Sequence, residues 1–360
     1  HPRQGSGMTS PTIQEPAPAT PADPAAPSGR AGRVAEWPQA YLDRPPLQSG
    51  DVVQLVDPSG PSSAESVERA VGYLEGWGLS VRVAAHILAC DSRADYLAGS
   101  DELRRADLVE AWTDPEVDAV VCVRGGYGAM RLLDGIDWAR MAAATPRRDG
   151  RPKLLTGSSD ITALHEAFRF HLGVPSLFCP MPGNDVFRDS AAIRQDVGRW
   201  LLEPWRNRQI VGPRAEVLVP GRVCGSFRGG NLSLLAAGIG APEAVARTGD
   251  QPEILFLEDI EEDLYRLDNL MIQMARSGRL AAACGIVLGS WHDCAPPDQV
   301  RALMAEYLTG LGVPVLWEQG FGHDPEALSV PLNVTGVLDL AVGREPRLSV
   351  GRPQRPGAGD

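Results

Sequence analysis

The chain reads as an α/β protein: an open parallel sheet with helices on its faces, followed by a smaller, β-containing α/β domain. Three observations lead there. From residue 51 to about Pro180, short apolar runs bounded by Gly, Pro, Ser and Asp alternate with amphipathic stretches, the strand-helix alternation that builds parallel sheets through right-handed crossovers. After Pro180 the pattern gives way to β-rich turns before further strand and helix signals appear. The length of 360 residues and a hydrophobic content of 43% suit two domains or one large α/β unit with a buried core.

HPRQGSG, before Met8, reads as an expression scar. From there to Gln48 the chain is rich in Pro, Ala, Ser and Thr, with ten of the 31 prolines before Gly50. So little apolar surface cannot offset ordering entropy, and residues 1–48 are expected to be scar and disordered tail, with RVAEWPQAYL able to dock locally. Order should begin at DVVQLV, a β-rich run closed by the turn DPSGPSS. Ser62 and Glu65 have capping-box spacing, and Val67, Ala70, Val71 and Leu74 share a helical face. LSVRVAAH, DAVVCV and KLLTG are expected as strands, DELRRADLVEAWT and ITALHEAFRFHL as helices, completing an N-terminal domain over residues 49–180. Residues 181–208 are expected as a linker region, 209–350 as the second domain and 351–360 as a tail. In that second domain NRQIVGPRAEVLVPGRVCGSF reads as β-rich turns, GGNLSLLAAGIG as a helix entry, EILFLED and CGIVLGSW as strands, and DLYRLDNLMIQMARSG as an amphipathic helix.

Composition excludes several functions. A net charge of -12 and a pI near 5.0, without a basic stripe, argue against a nucleic-acid partner. The six cysteines, at 90, 122, 179, 224, 284 and 294, show no C-x-x-C pair and are read as reduced core thiols. No apolar run approaches the roughly 20 residues of a membrane span, and no signal-peptide core is present, so a cytoplasmic protein is expected. No cluster has metal-ligand spacing, so neither metal nor cofactor is expected.

Open parallel sheets bind ligands at the carboxyl ends of their strands. In VCVRGGYGAM a strand runs into Arg124, Gly125 and Gly126, whose backbone N–H groups can converge on an oxyanion, or which form only a tight turn. GGYG lacks the G-x-G-x-x-G spacing of a dinucleotide site. In LLTGSSDIT a strand bends into a helix through Ser158, Ser159 and Asp160, where a hydroxyl beside orphan N–H donors serves either as nucleophile or as cap. For a base, His86 carries no further signal, His165 and His171 read as structural, His292 is a weaker candidate, and His323 sits on a Gly-flanked loop. Glu258 and Asp259 end the apolar strand of ILFLEDIEEDLYRLDNL, where a carboxylate can orient an imidazole or be structural.

Taken in order, VDPSGP, RGGYGAMRLL, KLLTGSSDITALHEA, CGSFRGGNLSLL, LFLEDIEEDLYRLDNLM and GFGHDPEALSVPLN resemble the LD-carboxypeptidases. These are serine peptidases that include muramoyltetrapeptide carboxypeptidases and microcin C immunity enzymes. The likeness spans about Gly50 to Leu340. It implies Ser159 as nucleophile, Glu258 as acid and His323 as base, with an oxyanion hole from the backbone N–H of Gly125 or Gly126 and of Asp160. It further implies a Rossmann-like N-terminal domain, a peptide or peptidoglycan-fragment substrate with release of a terminal D-amino acid, and a homodimer. Arg124 is assigned to the substrate carboxylate from its charge alone. Two positions depart from the family: Ser158 stands where an aromatic residue is common, and Asn333 where glycine is common. The alternatives are an immunity-type hydrolase of peptidyl or aminoacyl nucleotides and a non-catalytic binding module.

Overall fold

The computed structural model describes residues 39–245 and 251–352; the expected scar, most of the expected tail and residues 353–360 lie outside the described residues. The elements run β1 (Val52–Val56), α1 (Ala64–Gly76), β2 (Ser80–Val83), α2 (Asp101–Thr113), β3 (Ala119–Cys122), α3 (Trp138–Ala143), β4 (Leu154–Gly157), α4 (Thr162–Leu172), β5 (Ser176–Phe178), α5 (Asp185–Asp189) and α6 (Ala191–Leu202). They continue as β6 (Glu216–Val219), β7 (Gly221–Asn231), α7 (Leu232–Ala237), β8 (Glu253–Ile260), α8 (Leu264–Arg276), β9 (Ala283–His292), α9 (Pro297–Leu308), β10 (Val315–Trp317), β11 (Val330–Leu332), β12 (Thr335–Leu340) and β13 (Arg347–Val350). No helix among the described residues is long and apolar enough to cross a membrane.

The first sheet has the order β11-β5-β4-β3-β1-β2. Its five N-terminal strands are parallel, and β11 adds antiparallel along β5. Val120, Val121 and Cys122 are fully or almost fully buried, as strands covered on both faces require. The second sheet runs β13-β12-β7-β8-β9-β10-β6. Its parallel centre, β7 to β10, is flanked by antiparallel β12-β13 on one side and β6 on the other. Those flanking strands make the part expected to be the smaller domain the wider sheet, with seven strands.

Three expectations are corrected. Residues 39–48 are not tail: a 3-10 helix spans Gln39–Asp43, and the buried Leu42 and Leu47 are fixed by backbone bonds to Trp205 and Leu201. The expected linker is helical for most of its length, because Phe187, Ile193, Val197, Trp200 and Leu201 supply an apolar face that joins Val53, Leu55 and Val121 in one core. Burying each such side chain is worth roughly 1.5–3 kcal/mol. The cap of α1 is Ser63 and not Ser62: Ser63 has an extended backbone, and its hydroxyl accepts from the Ser66 N–H. The six cysteines are free as expected, but only Cys122 and Cys179 lie in the core.

A buried ion cluster ties α4 to the second sheet. Arg228 of β7 donates to both Glu166 oxygens on α4, at 2.5 to 3.1 Å, and to Glu253 at 2.9 Å. The Arg228 charge, helped by Arg169 and Arg279, overcomes burial and holds Glu166 down at about 2.

Candidate active site

β4 ends in Gly157, and the chain turns sharply into a 3-10 turn over Ser159–Ile161 before α4 begins. Ser159 has φ +58, a left-handed backbone that costs a non-glycine residue energy and holds its side chain out from the bend. A Cβ placed on Gly125 would lie 3.1 Å from Ser159 Cβ and 3.4 Å from its Oγ. Ser159 is therefore the serine that faces the RGG turn, while Ser158 is buried and makes no capping bond.

The bend and the turn are fastened together. Asp160, expected to offer its backbone N–H to the oxyanion or to cap the helix, anchors the loops: its carboxylate accepts from the Ser59 hydroxyl at 2.5 Å and from the Ala129 N–H at 2.8 Å. Burial outweighs these bonds and raises the Asp160 carboxyl above its ordinary value. The Gly60 N–H donates to the Gly125 carbonyl at 3.0 Å. Arg104, buried beneath, donates to the carbonyls of Pro58, Gly99 and Gly128. Arg124 is exposed, with one guanidinium nitrogen donating to the Pro61 carbonyl at 2.7 Å.

Glu258 and His323 are brought together from 65 positions apart, with His323 Nδ1 2.7 Å from Glu258 Oε2. Glu258 is wholly buried near the end of β8, opposite Asn231 of β7. Asn231 Nδ2 donates to Glu258 Oε1 at 3.2 Å and to Asp259 Oδ1 at 2.9 Å. Asp259 is turned the other way, accepting from the Ser233 N–H and hydroxyl at 2.9 and 2.7 Å. The backbone N–H groups of His323 and Asp324 donate to Ser290 Oγ at 3.1 and 3.2 Å. Gly322, at φ +112, lets the loop press onto Glu258. Burial works against a charged His323, but the Glu258 carboxylate outweighs it and holds the imidazole above its ordinary value.

Two contacts join the sheet edges. The Asn231 N–H donates to Thr162 Oγ1 at 3.0 Å, and the Phe178 and Phe321 rings meet edge-on at 5.7 Å. Among the described residues no hydrogen bond joins Ser159 to His323; such bonds commonly close only around substrate. The other described histidines are occupied elsewhere: His86 by Asp107, His171 by Glu243, and His165 by Ser176 and Gly157, while His292 lies beside Asp293. Asn333 adopts φ +56 and donates to the Val174 carbonyl, so it supplies the left-handed backbone that glycine would. No group of three or more His, Cys, Asp or Glu among the described residues is placed to hold a metal.

Asn231, Ser290 and Ser59 were missed from sequence. GGN at the end of β7, just before a helix, was the available signal for Asn231.

The sequence and fold have counterparts among known proteins. Residues 53–179 match the LD-carboxypeptidase N-terminal domain and residues 224–338 the LD-carboxypeptidase C-terminal domain. A Streptomyces coelicolor protein named as a carboxypeptidase is 44% identical over 85% of this chain and 95% of its own. The murein tetrapeptide carboxypeptidase of Pseudomonas aeruginosa is 32% identical, covering 80% of this chain and 92% of its own. The crystal structure of muramoyltetrapeptide carboxypeptidase from Oxalobacter formigenes superimposes with a TM-score of 0.70 at 28% identity, over 84% of this chain and 99% of that one. The two matched domains, the extent of these alignments and the shared fold lead to one conclusion: the chain belongs to the LD-carboxypeptidase family of peptidases.

Proposed function

We propose that the chain is a serine carboxypeptidase that hydrolyses an L-D peptide bond and releases the terminal D-amino acid of murein-type tetrapeptides. The observation that carries this reading is the His323–Glu258 pair at 2.7 Å, across the joined sheet edges from a serine held at φ +58 against a glycine turn. Ser159 Oγ attacks the scissile carbonyl while His323 Nε2 takes its proton. Glu258 accepts the Nδ1–H, fixes the tautomer and stabilises the imidazolium. Backbone N–H groups of Gly125 or Gly126 and of Asp160 receive the oxyanion. His323 then protonates the leaving amine, and water hydrolyses the acyl-enzyme by the reverse transfers. The free part of the Arg124 guanidinium is assigned to the terminal carboxylate of the substrate. No step is given to a metal or cofactor.

The substrate assignment rests on the Pseudomonas aeruginosa and Oxalobacter formigenes proteins named for murein and muramoyl tetrapeptides. The same reading takes the protein to act in the cytoplasm, and as a homodimer, as the family resemblance implies for the assembly; light scattering of the purified chain tests the dimer. For the reaction, peptides ending in L-residue then D-alanine are compared with all-L equivalents and with an acyl-sulfamoyl adenosine. Trimming of the L-D peptide alone is expected, because inverting the terminal α-carbon displaces its carboxylate from a fixed nucleophile. Preference for the adenosine conjugate, or no cleavage of an L-D bond, overturns it.

A further inference from the structure

His165 takes no part in the proposed chemistry, yet it is buried on α4, 3% exposed, directly behind the bend that carries Ser159. Its Nε2 stands 2.9 Å from the Gly157 carbonyl oxygen and its Nδ1 2.7 Å from Ser176 Oγ. A carbonyl oxygen can only accept, so Nε2 carries the proton, and the bare Nδ1 accepts from the Ser176 hydroxyl. The Cys179 N–H donates to the same Gly157 oxygen at 3.1 Å. Two donors from opposite elements, α4 and the end of β5, thus pin the peptide plane between Gly157 and Ser158, one residue before the strained Ser159. Fixing that plane anchors Ser158, whose following peptide sets the unfavourable φ at Ser159; once the anchor is released, that next peptide is free to turn and the strain to relax.

We infer that His165 is a positioning residue for the nucleophile: its Nε2–H, locked in that tautomer by Ser176, holds the Gly157 carbonyl and so aims Ser159 at the RGG turn. The inference rests on Ser159 being the nucleophile. Burial keeps His165 down at about 4, so the neutral form with one donor and one acceptor persists across the working range of a serine hydrolase. A histidine that merely filled space against Phe178 would need neither bond.

The test is the rate at which a fluorophosphonate labels Ser159, located by mass spectrometry in the full-length chain. It is read beside kcat, KM and the melting temperature. His165→Leu is expected to slow labelling and kcat about 100-fold with KM nearly unchanged, the usual effect of a misplacement of about 1 Å. His165→Gln, whose amide offers both an N–H for Gly157 and an oxygen for Ser176, is expected to recover most of that loss. Should His165→Leu fail to fold, Ser176→Ala decides, with labelling expected to slow several-fold at an unchanged melting temperature. Labelling at the wild-type rate in His165→Leu, or in Ser176→Ala where that variant decides, overturns the inference, as does an equal loss in the Leu and Gln variants. Absence of label on Ser159 in the unsubstituted chain refutes the nucleophile assignment itself, and this inference with it.

Discussion

Gly322→Ala should disable the enzyme while leaving it folded. A Cβ at this position would stand 2.5 Å from Glu258 Oε2, 2.8 Å from its Cγ and 2.9 Å from its Cδ. Ordinary contact begins near 3.4 Å, so the loop and the carboxylate must part by roughly 0.9 Å. Glu258 cannot yield: it is 0% exposed and its other oxygen is held by Asn231. The loop moves instead, taking His323 with it, and φ +112 adds backbone strain for any side chain. A shift of about 1 Å in a catalytic group costs about 100-fold, or about 2.7 kcal/mol in the barrier. Stability should fall by only about 1 kcal/mol or somewhat more, the scale of Ala at a positive φ. Steady-state kinetics on an L-D peptide, with a thermal melt of the same sample, measure both quantities. A kcat within threefold of the unsubstituted enzyme would show that the His323–Glu258 geometry does not set the rate.

Ser159→Ala should abolish turnover at an unchanged melting temperature, whereas Ser158→Ala should keep most of it; peptide hydrolysis by the two variants decides, and the opposite pattern moves the nucleophile by one residue. Because Glu258 raises the His323 imidazole, the base loses its function as pH falls through a point above the ordinary histidine value, so the acid limb of kcat/KM should lie there and move down in Glu258→Gln. The same shift acts on stability in the opposite sense: its contribution is complete below the ordinary value and disappears as pH rises through the folded-state one. Glu166, held at about 2 by Arg228, contributes stability that is present above pH 4.5 and lost as pH falls toward 2. Denaturant titrations should show that slope in the unsubstituted chain, and Glu166→Ala should cost about 3–5 kcal/mol by leaving Arg228 buried with one carboxylate fewer.

The residues proposed to react were legible as candidates because each stands where a strand stops or a glycine loop begins. Ser159 follows β4, Gly125 and Gly126 follow β3, and Glu258 sits near the end of β8. Their support was less so. Asn231 reaches Glu258 because β7 and β8 pair in a register that sets those two residues side by side. Ser290 reaches His323 because β9 places its hydroxyl under a loop 33 residues further on. Such contacts depend on three-dimensional register, which local periodicity does not encode. The helices over 181–208 were hidden because their apolar positions are few and interrupted, and only packing against the first sheet makes them a face.

The strand β11 bears on how this protein could be divided. Residues 330–332 come late in the chain but complete the first sheet along β5, with Pro331, which has no N–H to give, at that outer edge. A fragment ending near residue 208 would keep the serine and lose the strand that covers β5, leaving an open edge for other chains to pair with. Exchange of halves between relatives, or reassembly from two pieces, therefore has no clean seam at the helices: the last strand of the first sheet travels with the partner half.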